Sequence, residues 1–559
     1  MCPFSQKAAT PRHGCKLLTL TSNAQRFFLP ALIALAALMA WQNYFMQDDA
    51  YIAFRYAKNL AEGNGLVWYP QLREYGYTNF LFTLSVGGLM WLGFDPEIAA
   101  SLITVPAFIG SVILTVMLGR SISRHPWVPY IAGLAVATHH TISAYASGGM
   151  ETSLQMFLVL LTYCLILWYC NGARRISPWA IALSSSLALL CRLDSALLLF
   201  YAYLYLAAHF LKKLKENGTR RLWLPALVTV LVPTLAVFGL LLGCYLYYGT
   251  PLPNTFYAKI DGSGEFLPEG FQYLYSYLTA QSFFPLCLIF LAAAAWIAAR
   301  SQSANFDSMV FYALAACLVW ILYIVYIGGD FMEFRMLVPA LPLFYIGCLS
   351  LIAWAVPKQQ PWFWLLLTVV CVAVNIQHAI VFQSTRLTDT TAKLNRFLTE
   401  PYTNWIASGK SLGKLFYTGS PDDVLIATYP AGAIPYYSGL PTVDLFGLND
   451  RWVAENGWLS RRMAGHRHRA PDSYLEQKKV NIIIDFPRYY CPKINKEMRQ
   501  EYTWLPALLL PLENDCYLIG HYLTPHPKID ELIKAGTIQM MPVVSPAEEK
   551  SPPYIPVPK

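Results

Sequence analysis

Residues 47–79, which read QDDAYIAFRYAKNLAEGNGLVWYPQLREYGYTN, form a polar stretch. It directly follows the first strongly apolar run, 27–45. Two adjacent carboxylates, Asp48 and Asp49, therefore lie where the first predicted membrane helix meets water. At the bilayer surface they stay charged and accessible to a substrate, which makes them candidates for function.

The residues after this acidic pair predict an amphipathic helix lying in the membrane interface. Its apolar face carries Ala53 and Tyr56, and its polar face carries Arg55 and Lys58. The segment Gly63-Asn64-Gly65 is predicted to end the helix. An aromatic group typical of the headgroup level follows: Trp68, Tyr69, Tyr75 and Tyr77.

The composition predicts a polytopic α-helical membrane protein. Of 559 residues, 56% are hydrophobic and 13% are charged, and this charged share is about half that of a typical soluble protein. Several uninterrupted apolar runs reach the roughly 20 residues that a transmembrane helix needs. The net charge of +8 is attributed to cytoplasmic anchoring residues. Membrane lipids are therefore expected partners, and nucleic acid is not.

About 11–12 transmembrane segments are predicted by length. The eleven apolar runs are 27–45, 98–118, 126–142, 152–169, 178–190, 195–210, 223–247, 282–299, 309–327, 336–355 and 362–381. A further segment, 78–91, is short and interrupted by glycine. Residues 1–26 are basic without a convincing cleavage site, which predicts a cytoplasmic tail. The transmembrane domain is then 27–383, with its first extracytoplasmic loop at 46–79.

Positive charge assigns the two faces of this predicted bundle. By the positive-inside rule the side that holds the basic clusters is cytoplasmic, as is the N-terminus. These residues are Arg120, Arg124, Arg174, Arg175, Lys212, Lys213, Lys215, Arg220, Arg221, Arg300 and Lys358. The assignment requires that 78–91, or another short run such as 126–142 or 178–190, does not cross completely.

Acidic and Gly/Pro-rich loops then collect on the opposite face. The five loops are 47–79, 147–152, 191–194, 248–259 and 328–335. Ionisable residues at membrane depth are energetically costly, so they are functional candidates by default. Five such loops on one face predict one composite site at the membrane–water boundary.

Beyond residue 383 the composition becomes that of a soluble domain. Strand-like runs at 424–428, 480–484 and 517–520, with helix-like segments between them, predict a small α/β domain over 384–541 on the same face as the loops. If that domain is extracytoplasmic, Cys491 and Cys516 can form a disulfide, which the sequence alone does not establish. Residues 542–559 are Pro-rich and predict a disordered tail.

A site at this boundary suits lipids with a polar head, and polyprenyl-phosphate sugars fit well. Sugar transfer from such a donor needs a base for the acceptor hydroxyl and positive charge for the departing phosphate. Asp48 or Asp49 supplies the base. Candidates for contact with the phosphate or the substrate are Arg55, Tyr77, Asn79, Glu151, Asn254, Lys259, Asp330 and Arg335. Arg335 is favoured for the phosphate because its planar guanidinium matches phosphate bidentately.

Several candidates also have a structural explanation. Two aspartates at a helix start act as an N-cap and favour the helix dipole, and Glu151, which follows two glycines, is open to the same explanation. Lys259 and Arg335 also fit interfacial anchors that reach toward lipid headgroups.

Charged pairs within single loops have structural explanations as well. Asp330 with Arg335 fits an ion pair as well as a functional role. Arg192 with Asp194 is predicted to close a tight helical hairpin. His139-His140, at the end of an apolar run, is predicted to be interfacial and not metal-binding.

Seven motifs, taken together, point to a known family. They are 48–52 (DDAYI), 75–81 (YGYTNFL), 149–152 (GMET), 248–259 (YGTPLPNTFYAK), 328–339 (GGDFMEFRMLVP), 431–439 (AGAIPYYSG) and 444–450 (DLFGLND). In order and spacing they resemble GT-C superfamily glycosyltransferases, especially bacterial relatives of the mycobacterial terminal arabinofuranosyltransferase. Residues 191–195 (CRLDS) depart from the Arg-Pro-Asp-Gly pattern frequent there, and Gly465-His466 resembles an element of the family's C-terminal domain.

The resemblance implies membrane helices with large periplasmic loops and a C-terminal periplasmic domain. It also implies a lipid-phosphate-linked sugar donor, with Asp48 and Asp49 matching the family's acidic pair near the reacting centre. The implied activity is transfer of a sugar, arabinofuranose by resemblance, from polyprenyl phosphate to a cell-envelope glycan, lipid or surface-protein acceptor at the bacterial inner membrane.

Two other functions remain open at this stage, a lipid or small-molecule transporter and a non-catalytic envelope assembly protein. Transporters place polar residues near the bilayer midplane and carry internal repeats, whereas here the charges gather at one face. No cofactor is specified by the sequence. A divalent cation at Asp48 and Asp49 is left open.

Overall fold

The computed structural model of the protein describes residues 23–70, 72–123, 125–173, 175–217, 223–259, 266–299, 308–355, 360–459, 467–492 and 504–541. Most of the predicted cytoplasmic tail, the Gly465-His466 element and the predicted disordered tail lie outside these ranges. So do several of the basic residues used for sidedness: Arg124, Arg174, Arg220, Arg221, Arg300 and Lys358.

Helices make up most of the described chain. In order they are α1 (Asn23–Gln42), α2 (Ala50–Ala61), α3 (Phe80–Trp91), α4 (Pro96–Ile122), α5 (Val128–Thr138), α6 (His140–Ala144), α7 (Thr152–Cys170), α8 (Pro178–Cys191), α9 (Ser195–Asn217), α10 (Trp223–Tyr248), α11 (Asn254–Lys259), α12 (Leu267–Ala280), α13 (Phe284–Ala299), α14 (Met309–Tyr326), a 3₁₀ helix (Arg335–Ala340), α15 (Leu341–Ala355), α16 (Pro361–Val381), α17 (Thr391–Thr399), α18 (Trp405–Phe416), α19 (Ala433–Ser438), α20 (Arg451–Asn456), α21 (Asp472–Gln477) and α22 (Pro527–Lys534). The strands are β1 (Ile426–Thr428), β2 (Thr442–Asp444), β3 (Trp458–Leu459), β4 (His468–Arg469), β5 (Ile482–Tyr490), β6 (Ala507–Pro511), β7 (Tyr517–Tyr522) and β8 (Gln539–Met541).

Within the described ranges, seven helical segments are long and apolar enough to cross a membrane, so the chain is a polytopic helical membrane protein. They are α4, α7, α9, α10, α14, the 3₁₀ helix continued by α15, and α16. All seven coincide with predicted runs. The other four predicted runs correspond to α1, α5 and α8, which are shorter apolar helices, and to α13, which belongs to a bent pair.

Helix α3 and the pair α12 and α13 do not cross the membrane as single straight helices. Helix α3 has 12 residues and is therefore about 18 Å long, too short for a hydrocarbon core of about 30 Å. This agrees with the expectation that 78–91 does not cross fully. Helices α12 and α13 meet at 88°, and the bend falls at Ser282 and Phe283, both with positive φ.

Helix α2 is amphipathic, as predicted, but protein covers its polar face. Nearly the whole helix is buried, including Arg55 on its predicted polar face. The C-terminal domain covers that face: the Arg55 Nη2 group donates to the Leu440 carbonyl at 2.9 Å, and the Trp68 indole N–H donates to the Thr442 carbonyl at 3.2 Å. The amphipathic pattern was correct, but its polar face pairs with protein instead of water.

The C-terminal domain is α/β, as predicted. Its described strands form a six-stranded sheet in the order β2-β1-β5-β7-β6-β8 and a two-stranded sheet, β3-β4. Strands β2, β1 and β5 are parallel, whereas β5, β7, β6 and β8 pair antiparallel. The three predicted strand runs correspond to β1, β5 and β7. A disulfide joins Cys491 to Cys516.

Candidate active site

A first cavity of about 260 Å³ lies where the five predicted loops meet. Asp49 and residues 75–80 come from the first loop, and Met150 with Glu151 comes from the second. The other three loops contribute residues 192–194, then Leu252, Pro253, Thr255 and Phe256, and finally Gly329, Asp330 and Arg335. The predicted composite site therefore exists as one cavity, which we call the loop cavity.

Buried charge on one wall of the loop cavity is held by a network across three loops. Glu151 accepts hydrogen bonds from the Asn79 amide at 2.7 Å and from Arg192 Nη1 at 2.6 Å. Arg192 Nη2 also pairs with the Asp194 carboxylate at 2.6 Å. Burial raises the pKa of Glu151, but the charges of Arg192 and Arg335 and the two hydrogen bonds outweigh it and lower the pKa below its ordinary value. Glu151 is thus held ionised as an anchor for Arg192.

A second ion pair lines the same cavity. Arg335 Nη2 contacts the Asp330 carboxylate at 2.6 Å, so the predicted pair forms. The neighbouring Nη1 lies 3.1 Å from the Met150 sulfur. A thioether is a weak acceptor, so this end of the guanidinium would gain from a stronger one. Arg335 therefore combines a positioned charge with a donor that suits an anionic ligand.

Asp48 and Asp49 have different surroundings although they are adjacent. The Asp48 carboxylate is buried and accepts backbone hydrogen bonds from Gly432 at 3.2 Å and Ala433 at 2.8 Å. Burial is the main cause that raises its pKa to about 7, with a contribution from the charge of Asp49. A Cβ at position 432 would collide with the Asp48 carbonyl, which explains the glycine there. Asp48 thus attaches the first loop to the C-terminal domain.

Asp49 is half-buried and lies at the start of α2 without a side-chain capping bond. It lines the loop cavity and also a second cavity of about 320 Å³, which lies between the first loop and the C-terminal domain. We call the second one the aromatic cavity, because its walls include Phe331, Phe397, Trp405, Tyr429, Phe446 and Phe486. Asp49 therefore faces the contents of both cavities.

Two other predicted residues, Tyr77 and Arg55, differ in whether they line a cavity. Tyr77 lines the loop cavity, and its hydroxyl accepts a hydrogen bond from Tyr248 at 3.3 Å. Arg55 lines neither cavity, because its Nε donates to the Trp68 carbonyl at 2.6 Å and its guanidinium stacks on the Trp68 ring. It is therefore withdrawn as a phosphate ligand.

Asn254 and Lys259 lie on the short helix α11. Asn254 is fully buried and donates to the Glu74 carboxylate at 3.0 Å, which ties the fourth loop to the first. It does not line either cavity, although its neighbours Pro253 and Thr255 line the loop cavity. The Lys259 side chain lies outside the described residues.

Arg192 was missed as a ligand candidate and was assigned only a structural pairing. Its pairing with Asp194 is observed, but the same guanidinium also lines the loop cavity. The available signal was its position in one of the five loops.

His139-His140, predicted to be interfacial and not metal-binding, packs against protein groups. His139 is buried, and His140 lies 3.5 Å from the Glu333 carboxylate, which also contacts His378 at 2.9 Å. Glu333 accepts the Thr391 N–H at 2.6 Å. This cluster ties the membrane helices to the start of the C-terminal domain.

Metal binding needs several His, Cys, Asp or Glu side chains close together. No group of three or more His, Cys, Asp or Glu side chains among them has an arrangement that could hold a metal ion. The two acidic neighbours Asp48 and Asp49 also diverge, since Asp48 is committed to backbone N–H groups. These residues do not form a ready cation site.

Comparison with known proteins identifies the fold. Residues 401–525 match a family model described as a domain of unknown function, DUF8728. No curated protein shows significant sequence similarity to the chain.

Solved structures similar to the chain include ArnT from Cupriavidus metallidurans and the Archaeoglobus fulgidus oligosaccharyltransferase. Apo ArnT is 12% identical with a TM-score of 0.52, and its undecaprenyl phosphate complex is 13% identical with a TM-score of 0.53. Both alignments cover 89% of this chain and 98% of ArnT. The apo oligosaccharyltransferase is 11% identical with a TM-score of 0.50, over 87% of this chain and 74% of its own. The chain therefore has a GT-C fold.

Proposed function

We propose that the protein is a membrane glycosyltransferase that moves a sugar from polyprenyl phosphate to an acceptor hydroxyl. The observation that carries this proposal is the position of Asp49, a carboxylate lining both cavities. One cavity presents arginines to a donor phosphate, and the other leaves room for an acceptor. The GT-C fold and the undecaprenyl phosphate bound to the structurally similar ArnT support this assignment.

The loop cavity is assigned to the donor. Arg335 and Arg192 line it, and both are held by carboxylates that fix the orientation of their guanidinium groups. Preorganised charge of this kind stabilises a departing phosphate, because it needs no reorientation during the reaction. The weak contact between Arg335 and the Met150 sulfur is the one that a phosphate oxygen would replace.

The reaction is assigned as follows. Asp49 accepts the proton of the acceptor hydroxyl while the acceptor oxygen forms a bond to the anomeric carbon of the sugar. The bond between that carbon and the phosphate oxygen breaks, and the electron pair leaves with polyprenyl phosphate. Arg335 and Arg192 balance the charge that develops on the phosphate. Asp48 takes no proton in this scheme and acts as a positioning residue through Gly432 and Ala433.

The finer assignments rest on the sequence resemblance and on one feature of the fold. The sugar is proposed to be arabinofuranose, and the acceptor a component of the cell envelope. The protein is placed in a bacterial inner membrane with its N-terminus cytoplasmic and the C-terminal domain periplasmic. The Cys491–Cys516 disulfide supports this sidedness, since structural disulfides persist in oxidising compartments.

The test uses the full-length protein in nanodiscs with a panel of synthetic polyprenyl-phosphate sugars. Released polyprenyl phosphate is measured for wild type, Asp49→Asn and a control, Asp95→Asn, which removes an exposed carboxylate beside α4. We expect turnover of one donor that is lost in Asp49→Asn and kept in Asp95→Asn. Turnover that survives Asp49→Asn would reject the assigned base. Absence of both donor binding and turnover would favour a transporter or an assembly protein.

A further inference from the structure

The aromatic cavity has a wall built at one edge of the C-terminal sheet. Tyr429 follows β1, Phe446 follows β2, and Phe486 lies on β5 just after the residue that pairs with Thr428. These three strands are parallel, so the carboxyl ends of β1 and β2 lie at the same edge as the irregular middle of β5. Open α/β sheets bind ligands at the carboxyl ends of their strands. The sheet therefore presents an aromatic surface toward Asp49.

The rings of this wall are packed into a platform. Tyr429 and Phe486 stack at 4.8 Å with 22° between their planes, and Tyr429 and Phe446 lie 4.4 Å apart at 40°. Phe397 and Trp405 form a second stacked pair on the cavity wall, 4.5 Å apart and 4° from parallel. Flat, rigid rings of this kind offer large contact area to a planar or ring-shaped ligand.

The backbone turns Phe486 outward by an unusual conformation. Asp485 has φ +56° although it is not glycine, and the pairing of β5 with both of its neighbours is irregular at this point. The Asp485 carbonyl is held by the Thr428 hydroxyl at 3.0 Å and the Tyr429 N–H at 3.3 Å. Phe486 is left 45% exposed. Bulges that re-aim a side chain, and left-handed residues held by their surroundings, occur characteristically at binding sites.

Charged groups share this cavity with the rings. Asp48, Asp49, Asp389 and Arg469 line it, and Asp389 is paired with Lys393 at 2.7 Å. A prenyl or acyl chain would exclude water from these groups without replacing their hydrogen bonds, which is costly. A sugar ring meets both demands, because its C–H face stacks on aromatic rings and its hydroxyls bond to carboxylates and guanidinium groups.

We infer that the aromatic cavity is the acceptor site and that the acceptor is a carbohydrate. One sugar ring stacks on the exposed ring of Phe486, which packs against the buried Tyr429, and a hydroxyl of that glycan points to Asp49. This inference rests on the proposed transfer reaction and narrows its acceptor to a glycan, whether free or attached to lipid. A serine- or threonine-bearing protein segment is the outcome that would exclude it.

Acceptor binding is tested apart from donor turnover, by saturation-transfer NMR on the full-length protein in nanodiscs. The probes are trisaccharides of arabinofuranose, glucose, mannose, rhamnose and N-acetylglucosamine, together with a Ser/Thr-rich octapeptide. At least one trisaccharide is expected to show signals at its ring C–H protons. Phe486→Ala should weaken its binding about tenfold, since the aromatic contact and its buried area are lost.

Controls separate a lost contact from a lost fold. Phe486→Trp keeps a ring and should restore binding, while Tyr417→Ala removes an exposed aromatic residue that lines neither cavity and should have no effect. Failure of every trisaccharide to bind, or binding unchanged by Phe486→Ala, overturns the inference. Octapeptide binding with donor turnover would overturn it and leave the proposed function standing. Trisaccharide binding that depends on Phe486, without turnover of any donor, would reject the function and keep the carbohydrate site.

Discussion

Asp48 accepts a hydrogen bond from the backbone N–H of Ala433 at 2.8 Å, across 385 positions of sequence. This contact joins the first loop of the membrane domain to the start of α19 in the C-terminal domain. Asp48 also lines the aromatic cavity, whereas its neighbour Asp49 lines both cavities. The two carboxylates therefore have separable tasks, which mutation can tell apart.

Asp48→Ala is expected to act on stability, and Asp49→Ala on turnover. Removing Asp48 leaves two buried backbone N–H groups without acceptors, at a cost of about 1–3 kcal/mol for each group. We expect earlier thermal unfolding and faster proteolysis of the C-terminal domain in Asp48→Ala. Asp49→Ala breaks neither of these backbone hydrogen bonds, so it should lose polyprenyl phosphate release at a smaller cost in stability. Equal destabilisation by both substitutions would contradict the division of roles.

Stability should fall as pH rises from about 4 to about 7. Burial raises the pKa of both Asp48 and Asp444 to about 7 in the folded protein. Each is protonated more readily when folded than when unfolded, so the stability from that protonation is complete below the unfolded pKa and lost as pH rises through the folded value. Thermal unfolding between pH 4 and 8 measures this slope. Asp48→Asn cannot ionise at this position, so it should reduce the slope of stability against pH to the part that Asp444 contributes. An unchanged slope in that variant would refute the assignment to Asp48.

Arg335→Lys should weaken use of the donor. Lysine keeps the positive charge but loses the planar fork that contacts Asp330 and reaches toward Met150. We expect donor KM to rise about tenfold, which corresponds to roughly 1.4 kcal/mol of lost binding. Arg451→Lys, at an exposed pair with Glu455, is the matched control and should leave KM unchanged. An unaltered donor KM in Arg335→Lys would place the phosphate elsewhere.

Removal of the disulfide should destabilise the C-terminal domain alone. Cys491 and Cys516 are separated by 25 positions, and closing a loop of that size contributes about 3 kcal/mol by restricting the unfolded chain. The double variant Cys491→Ser/Cys516→Ser should lower the unfolding temperature of this domain with little effect on the helical signal of the membrane domain. A reductant should reproduce this shift in wild type and do nothing further to the variant.

The sequence predicted those elements whose signals are local. Apolar runs located the membrane helices, and short β-branched runs located β1, β5 and β7. The gathering of five loops followed from sidedness, which depends only on charge and span length. Local patterns also suggested that Asp48 and Asp49 belong to the site.

Local sequence patterns do not predict contacts between segments that are far apart in the chain. Arg55 reads as a surface residue, yet it donates to the carbonyl of Leu440 far along the chain. The same limit hid the difference between Asp48 and Asp49, since only the approach of Gly432 assigns Asp48 to the backbone. The aromatic cavity was not predicted, because its walls come from distant parts of the chain. These are α17, α18, the segments after β1 and β2, and β5.

The position of Asp49 between the two cavities has a kinetic consequence. A single carboxylate that takes a proton from one ligand while the other ligand departs needs both ligands bound together. The order of events is then sequential, with donor and acceptor present in one ternary complex before any product leaves. Initial rates measured against one substrate at several concentrations of the other should give intersecting reciprocal lines, and not the parallel lines of an enzyme that stores the sugar covalently.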